Sequence, residues 1–458
     1  MAARYVGQSA VEIARGVRSG EVSARDVVAE HLAHIAARDG AVGAFRTVLA
    51  ERALAEAEAV DGRPDRYALP LAGVPVAVKD NLAVAGEPTL EGSRGSSRVP
   101  ATRDHEVVTR LRRAGAVVVG ITRLPELSTF ATTDDADGIS RNPWDLGRTS
   151  GGSSGGAGAA VAAGFVPIAQ GNDAMGSIRI PAACCGVVGI KPGTGVIPAG
   201  IGANEWFGMA ENGPLAATVA DVVLAFDVMA GRPEGSSLQA VDHRLRIAVS
   251  HRTPLPGVLA DRDAREGLHR AVRALVAAGH DAHTAGPPYT RTVARSALAR
   301  WFGGVAMDAE QLEDASLLQP RTRRHVALGR QAISRGLIRE ADRTAWQDAV
   351  GELFSRYDVL MTPTLAGPPA AALRWSERSW LANVTANVRF APYAAPWNLA
   401  GVPAMSVPAG IRSDGLPAAV QLVGAPGSEA LLLAVAARLE AALPWQRHAE
   451  AGVLSRTA

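Results

Sequence analysis

The order of apolar and polar positions predicts alternating helices and strands over most of the chain. Residues 8–60 have apolar side chains at helical spacing and predict helices. Residues 71–81 (LAGVPVAVKDN) are a nearly continuous apolar run, which predicts a buried strand that ends on Lys79. A helix is predicted over residues 104–114, and the strand AVVVGITR follows it. This helix-then-strand order is typical of a wound α/β sheet.

The remaining two thirds of the chain continue this alternation around a helical segment. A long loop is predicted over residues 131–150, followed by a glycine-rich helix and the strands FVPIAQ and GVVGIK. The next helix begins near Thr218 and is ended by Gly231. Residues 255–357 are helical, rich in arginine and poor in strands, and strands return at 358–364, AMSVPAG and PAAVQLVGA before a closing helix. The predicted fold class is therefore α/β, with a large mixed β-sheet between layers of helices.

Composition excludes several classes of protein. Of the 458 residues, 47% are hydrophobic and 20% are charged, which is ordinary for a globular protein with a large core. A net charge of +2 gives no reason to expect nucleic acid or a membrane surface as partner. No apolar run reaches about 18 uncharged residues, and the N-terminus lacks the apolar core of a signal peptide. The adjacent Cys184 and Cys185 are the only cysteines, which fits a reducing cytoplasm.

Lysine is rare in this chain. Among 47 lysine and arginine residues, only Lys79 and Lys191 are lysines. A lysine can lose its proton when it is desolvated, whereas an arginine in a protein does not. At the end of a buried strand, a neutral Lys79 is a usable general base near neutral pH. The residue types leave the alternative of a plain ion pair between Lys79 and Asp80 equally open.

Two candidate nucleophiles, Ser153 and Ser177, lie in a glycine-rich, almost uncharged stretch, residues 151–192. Ser153 (GGSSG) matches the G-x-S-x-G pattern of a nucleophile elbow, which requires a later acid and a histidine. Ser177 (MGSIR) follows a glycine in a turn whose backbone N–H groups can point at a developing oxyanion. Because serine–lysine pairs are a known variant of the catalytic triad, Lys79 can provide the base that Ser177 lacks. The patterns leave both serines open as nucleophile.

Segments distributed along the chain resemble the amidase signature family of serine hydrolases. They are GVPVAVKDN, DHEVVTRLRRAGAVVVGITRLPEL, RNPWD, GGSSGGAGAAVAAG, GSIRIPAACCGVVGIKP, GPLAATVADV, YDVLMTPT, PWNLAGVPAMSVPAG and GLPAAVQLVG. They occur in the family's order and cover most of residues 70–230 and 357–440. The resemblance implies the amidase signature fold, a large mixed twisted sheet covered by helices on both sides. It implies one domain over residues 1–458, made of N-terminal helices (1–65), a signature core (66–230), a helical variable region (255–357) and the C-terminal part of the core (358–445).

The resemblance also implies a Ser–cisSer–Lys triad. Ser177 would be the nucleophile that carries the acyl group. Ser153, after a cis peptide bond, would relay protons to Lys79, and water would hydrolyse the acyl-enzyme. No metal or organic cofactor is implied. The oxyanion hole would be formed by the backbone N–H groups of Ala174, Met175, Gly176 and Ser177.

The chain departs from the family's pattern at two places. Where the family usually has D-T-G-G-S, this chain has Asp173-Ala174-Met175-Gly176-Ser177, so the threonine and one glycine are replaced. Ala217 stands where the family often has an arginine.

Supporting and substrate-binding roles are expected at further positions. Asp173 and Arg179 are expected to hold the nucleophile loop by a charge-assisted bond. Lys191, in the GIKP segment, is expected to have a structural role. Bulky apolar residues that could line an acyl pocket are Phe130, Ile201, Trp206 and Phe207.

The function expected from these residues is that of a cytoplasmic amidase. It would hydrolyse a small-molecule, linear carboxamide to an acid and ammonia or an amine, with esters as further substrates, and the family suggests a homodimer. Three alternatives stay open. The chain could be the ammonia-generating subunit of an amidotransferase assembly, a non-catalytic binding homologue, or an α/β-hydrolase with Ser153 as nucleophile.

Overall fold

The computed structural model describes residues 4–233, 235–236, 238, 241 and 243–449. The ends of the predicted domain, residues 1 and 458, lie outside this described part. The strands in it are β1 (Phe45–Val48), β2 (Pro75–Lys79), β3 (Val117–Thr122), β4 (Arg141–Asn142), β5 (Asp145–Thr149), β6 (Ile168–Asp173), β7 (Val188–Lys191), β8 (Glu211–Ala216), β9 (Arg246–Val249), β10 (Asp281–Thr284), β11 (Val359–Pro363), β12 (Ala404–Ile411) and β13 (Pro417–Gly424).

The helices fill the segments between these strands. They are α1 (Ala10–Ser19), α2 (Ala24–Val42), α3 (Ala50–Asp61), α4 (Glu106–Arg113), α5 (Gly155–Ala162), α6 (Arg179–Cys185), α7 (Glu205–Gly208), α8 (Val219–Ala230), α9 (Arg262–Ala277), α10 (Arg291–Ala309), α11 (Pro320–Ser334), α12 (Glu340–Arg356), α13 (Trp380–Phe390), α14 (Ala395–Ala400) and α15 (Glu429–Ala442). No helix in the described part of the chain has the length and the apolar character that crossing a bilayer requires.

One sheet of eleven strands runs through the molecule. Its order is β1-β3-β2-β6-β8-β7-β12-β13-β11-β9-β10. The pairs β2–β3, β2–β6, β9–β11 and β9–β10 are parallel, and the other neighbours are antiparallel. The predicted α/β class with a large mixed sheet flanked by helices is therefore confirmed. Strand β2 is buried along its whole length, which explains its almost uninterrupted apolar sequence before Lys79. Strand β6 is equally buried, although its second half carries the polar residues Gln170, Asn172 and Asp173.

Local sequence signals place several helix ends as predicted. The side chain of Thr218 caps α8 by accepting a hydrogen bond from the N–H of Asp221, and Gly231 ends this helix with φ of 70°. The predicted strand over residues 71–81 is β2, and it ends on Lys79. The predicted helical segment, residues 255–357, contains α9 to α12, with the short strand β10 between α9 and α10.

The prediction of helices over residues 8–60 is corrected at β1 (Phe45–Val48), which is a strand because it pairs antiparallel with β3 at the edge of the sheet. Two further strand features that were not predicted also depend on tertiary contacts. Strand β8 contains Gly213 and Pro214, residue types that argue against a strand, yet it lies between β6 and β7. A Cβ at Gly213 would lie 2.1 Å from the carbonyl oxygen of Ile190, so glycine permits the close pairing. The predicted loop 131–150 contains the β4–β5 hairpin. There the Trp144 Nε1–H donates to the carbonyl of Cys185 at the end of α6, at 2.7 Å.

Candidate active site

Lys79 lies at the end of β2, fully buried among amide and hydroxyl groups. Its Nζ is 2.7 Å from Ser153 Oγ and 2.6 Å from Asn172 Oδ1. Its backbone N–H donates to Gln170 Oε1 at 3.0 Å. The alternative partner, Asp80, forms an ion pair with Arg46 instead, at 2.8 Å. The side chain of Lys79 therefore contacts the hydroxyl of Ser153 and not a carboxylate.

Burial determines the protonation of this lysine. Desolvation lowers the pKa of Lys79 to about 7, although the nearby charges of Asp173 and Glu91 act to raise it. A neutral Nζ can donate one hydrogen to Asn172 Oδ1 and accept the hydroxyl hydrogen of Ser153. The arrangement can therefore provide a base near neutral pH.

The Gly152–Ser153 peptide bond is cis, as the family resemblance implies. The next residue ties this turn to both neighbouring segments. The N–H of Ser154 donates to the carbonyl of Ser177 at 3.1 Å, and its hydroxyl donates to the carbonyl of Asn172 at 3.1 Å. A Cβ at Gly152 would lie 2.6 Å from the Phe130 carbonyl oxygen, so only glycine allows this close approach.

The buried carboxylate of Asp173 accepts backbone hydrogen bonds from the residues on both sides of Ser177. Asp173 Oδ1 accepts the N–H of Gly176 at 2.6 Å, and Oδ2 accepts the N–H of Ile178 at 3.2 Å. Burial acts to raise the pKa of Asp173, but Arg179 and the side chain of Asn398 lower it below its usual range. The predicted bond between Asp173 and Arg179 is present, and both side chains are fully buried.

The oxyanion-hole prediction is corrected at one position. The N–H of Gly176 donates a hydrogen bond to Asp173 Oδ1, so it is already used within the loop. Gly176 is nevertheless required as glycine, because its φ is +115° and a Cβ would lie 2.5 Å from Ala394 Cβ. The N–H groups that stay candidates for an oxyanion are those of Ala174, Met175 and Ser177.

Two cavities meet at Ser177. The larger has a volume of about 780 Å³, counting space open to solvent, and is mostly apolar, and the helical segment contributes one wall through α10. Its lining includes Phe130, Met175, Trp206, Val293, Trp301 and Pro392.

The smaller cavity has a volume of about 350 Å³, counting space open to solvent, and is lined by both polar and apolar residues. Ser153 and Ser177 both lie in its lining, together with Asn81, Glu91, Ile201 and Asp308. Burial raises the pKa of Glu91, and the neighbouring Asp308 raises it further. Burial likewise raises the pKa of Asp308, whose Oδ2 accepts the Trp206 Nε1–H at 2.7 Å.

Of the four residues predicted for the acyl pocket, three line one or both of these cavities. Phe130 lines the larger cavity, Ile201 the smaller, and Trp206 both. Phe207 lies in the lining of neither cavity, so its contact with substrate stays a prediction. Its ring faces α10, where a Cβ added at Gly303 would lie 2.9 Å from it.

Backbone strain is concentrated around the smaller cavity. Glu91, Leu127, Ser128 and Trp206 all have φ between 49° and 56°, the left-handed region that residues with a side chain seldom adopt. Such strain clusters at functional sites, because the surrounding structure must enforce it.

The three residues that depart from the family pattern lie in different surroundings, with Ala174 in the lining of the smaller cavity. The side chain of Met175 lines the larger cavity beside Ser177, so this replacement shapes the space for a ligand. Ala217 lies away from both cavities, and its carbonyl accepts the Trp445 Nε1–H at 3.1 Å. Lys191 is fully buried in β7, where desolvation lowers its pKa and the nearby charge of Glu211 opposes that effect.

The chain is similar along nearly its whole length to known amidases. The family model described as Amidase matches residues 26–433. The putative amidase AmiB2 of Mycobacterium tuberculosis is 40% identical over 441 residues, which are 94% of this chain and 95% of that protein. The solved structure of 6-aminohexanoate cyclic dimer hydrolase has a TM-score of 0.87 at 32% identity, covering 96% of this chain and 97% of that one. A bacterial aryl acylamidase of the amidase signature enzymes has a TM-score of 0.82 at 26% identity, with coverage of 96% and 97%.

Proposed function

The chain belongs to the amidase signature family, and on this premise we propose that it hydrolyses a carboxamide through an acyl-enzyme on Ser177. The observation that carries the proposal is the 2.7 Å contact between Lys79 Nζ and Ser153 Oγ, in a cavity that Ser177 also lines. A buried lysine with a pKa near 7 beside two serines provides a base and a proton path for a serine nucleophile.

In the first half of the reaction, Ser177 Oγ attacks the carbonyl carbon of the amide. Its proton passes to Ser153, which gives its own hydroxyl proton to the neutral Lys79. The developing oxyanion accepts hydrogen bonds from backbone N–H groups at Ala174, Met175 and Ser177. The same path returns the proton to the leaving nitrogen, the C–N bond breaks, and an ester to Ser177 remains.

In the second half, water attacks the ester carbonyl. It gives a proton to the path through Ser153 to Lys79, and the path returns that proton to Ser177 Oγ as the acid leaves. The same steps cleave an ester substrate, because the acyl-enzyme does not depend on a nitrogen leaving group. Lys79, Ser153 and Ser177 are thus sufficient for the chemistry, and no metal or organic cofactor takes part in the proposal.

The two cavities indicate the orientation of the substrate. The leaving nitrogen must be reached by the relay hydroxyl of Ser153, which lies in the lining of the smaller cavity. The amine therefore leaves on that side, and the acyl group occupies the larger, apolar cavity. The smaller cavity favours ammonia or a short amine because of its size and its polar side chains, so the proposed substrate is a linear carboxamide with a largely apolar acyl group.

Peptide mapping by mass spectrometry after treatment with a fluorophosphonate tests the proposal. We expect the adduct on Ser177 in the wild type, a strongly slowed reaction in Lys79→Ala and none at that position in Ser177→Ala. The same three proteins are assayed for ammonia release from alkyl and aryl carboxamides. An adduct on Ser153 would make that residue the nucleophile, and full ammonia release by Ser177→Ala would remove the proposed mechanism.

A further inference from the structure

Asn387 is a residue of the apolar cavity's lining whose amide oxygen has no hydrogen-bond partner among the described residues. It lies near the end of α13 and lines the cavity together with its neighbours Val388 and Ala391. This oxygen, Oδ1, is also buried. Buried polar groups in native structures are almost always paired, so an orphaned one requires an explanation.

The other hydrogen-bonding side chains around this cavity have partners in the protein. Trp301 Nε1–H donates to the carbonyl of Thr129 at 2.9 Å, and the Thr129 hydroxyl donates to the carbonyl of Glu126 at 2.9 Å. The hydroxyl of Ser128 accepts from Asn81 Nδ2 at 3.3 Å. Apart from Ser177, the proposed nucleophile, Asn387 is left to interact with whatever fills the cavity.

A second asparagine on the same helix provides the contrast. Asn383 is buried, accepts a hydrogen bond from Arg321 Nη1 at 2.9 Å and donates to the carbonyl of Trp375 at 3.0 Å. It is paired within the protein, as expected for an asparagine that holds the fold together. Asn387, four residues later, has no comparable role for its Oδ1 atom.

We propose that Asn387 determines specificity by hydrogen-bonding a neutral polar group on the acyl part of the substrate, away from the scissile bond. An amide side chain offers both an acceptor and donors, so a hydroxyl or a second carboxamide is a suitable match. A charged group does not fit, because the described lining of this cavity contains no charged side chain to compensate it. The inference rests on the proposed function, since it assumes that this cavity holds the acyl group.

Binding of paired probes to the Ser177→Ala variant tests this proposal without hydrolysis. The probes are linear alkanamides of four to eight carbons, each compared with its ω-hydroxy counterpart by titration calorimetry. For each chain length we compare the affinity for the ω-hydroxy alkanamide with the affinity for the plain alkanamide. At one or more chain lengths, Asn387→Leu in the Ser177→Ala background should reduce this hydroxy-to-methyl affinity ratio about tenfold. That reduction corresponds to the loss of one hydrogen bond to a buried group. Thr385→Val, an exposed position on the same helix outside the cavity, should leave the ratio unchanged.

The outcomes separate this inference from the proposed function. An affinity ratio that Asn387→Leu leaves unchanged at every chain length overturns the role of Asn387, and so does the absence of binding by all probes. If the wild type releases no ammonia but the ratio still depends on Asn387, the binding role holds and the proposed hydrolysis fails. Asn387→Ala, which removes the amide without adding bulk, provides the same comparison should Asn387→Leu not fold.

Discussion

Asp173 and Arg179 form a two-point ion pair in the interior of the protein, directly beneath the proposed nucleophile. The distances are 2.9 Å from Nε to Oδ2 and 2.9 Å from Nη2 to Oδ1, and neither side chain is exposed. Arg179 also donates to Gln421 Oε1 at 2.7 Å and to Asn398 Oδ1 at 2.6 Å. The loop before Ser177 is therefore fixed to β13 and α14, which lie more than 200 residues later in the chain.

Removing the arginine should destabilise the whole protein. In Arg179→Met the carboxylate of Asp173 stays buried without its counter-charge, which typically costs about 3–5 kcal/mol. The measurement is the free energy of unfolding in urea. The matched control is Arg63→Met, which breaks the exposed Arg63–Asp65 pair and should lose only a small fraction of that stability. Equal losses in the two variants would show that the buried pair does not hold the loop.

The rate of hydrolysis should fall in acid with a midpoint near pH 7. Lys79 accepts a proton only when it is neutral, and burial lowers its pKa to about 7. Below that pH the lysine is protonated, so kcat/KM should fall about tenfold for each further pH unit. Measuring kcat/KM from pH 5 to pH 9 checks this expectation. An acid limb near pH 4 to 5 would assign the base to a carboxylate.

Glu91→Gln should leave this acid limb close to pH 7. Burial and the neighbouring Asp308 raise the pKa of Glu91 to about 8, so near pH 7 its carboxyl is largely protonated and adds little charge beside Lys79. We therefore expect the midpoint of the kcat/KM profile to change little. Glu106→Gln, at the surface end of α4, provides the reference midpoint. A midpoint that falls clearly below this reference in Glu91→Gln would show that Glu91 is ionised and raises the pKa of Lys79.

Sequence patterns predicted the parts of the site that depend on local chemistry. Lys79 could be found because lysine is otherwise nearly absent from the chain and because the apolar run before it indicates a buried strand. Ser153 and Ser177 could be found because glycine-rich sequence surrounds both. These signals are contained in a few consecutive residues, and the family resemblance then ordered them into one proton path.

The residues that position this path were not predicted, because their roles depend on distant contacts. Asn172 and Gln170 have amide side chains in a buried strand, and no pattern in the sequence indicates that both contact Lys79. Asn398 Nδ2 donates a hydrogen bond to the carbonyl of Asp173 at 2.8 Å, although the two residues are 225 positions apart in the chain. Strand β8 has the composition of a turn, and only the pairing with β6 and β7 makes it a strand. The position of Phe207 also depends on a distant contact, since the left-handed turn α7 directs its ring toward α10.

Met175→Ala should widen the range of acyl groups that the enzyme accepts. The Met175 side chain lines the apolar cavity next to Ser177, so its truncation makes room there, while its backbone N–H is kept for the oxyanion. A hydrophobic pocket discriminates by about 10- to 200-fold per methylene. We therefore expect kcat/KM for a branched acyl amide, divided by that for its linear isomer, to rise at least about tenfold. Met307→Ala on α10, outside both cavity linings, is the control and should leave this ratio unchanged. An unchanged ratio in Met175→Ala would mean that the acyl group does not occupy the apolar cavity beside this residue.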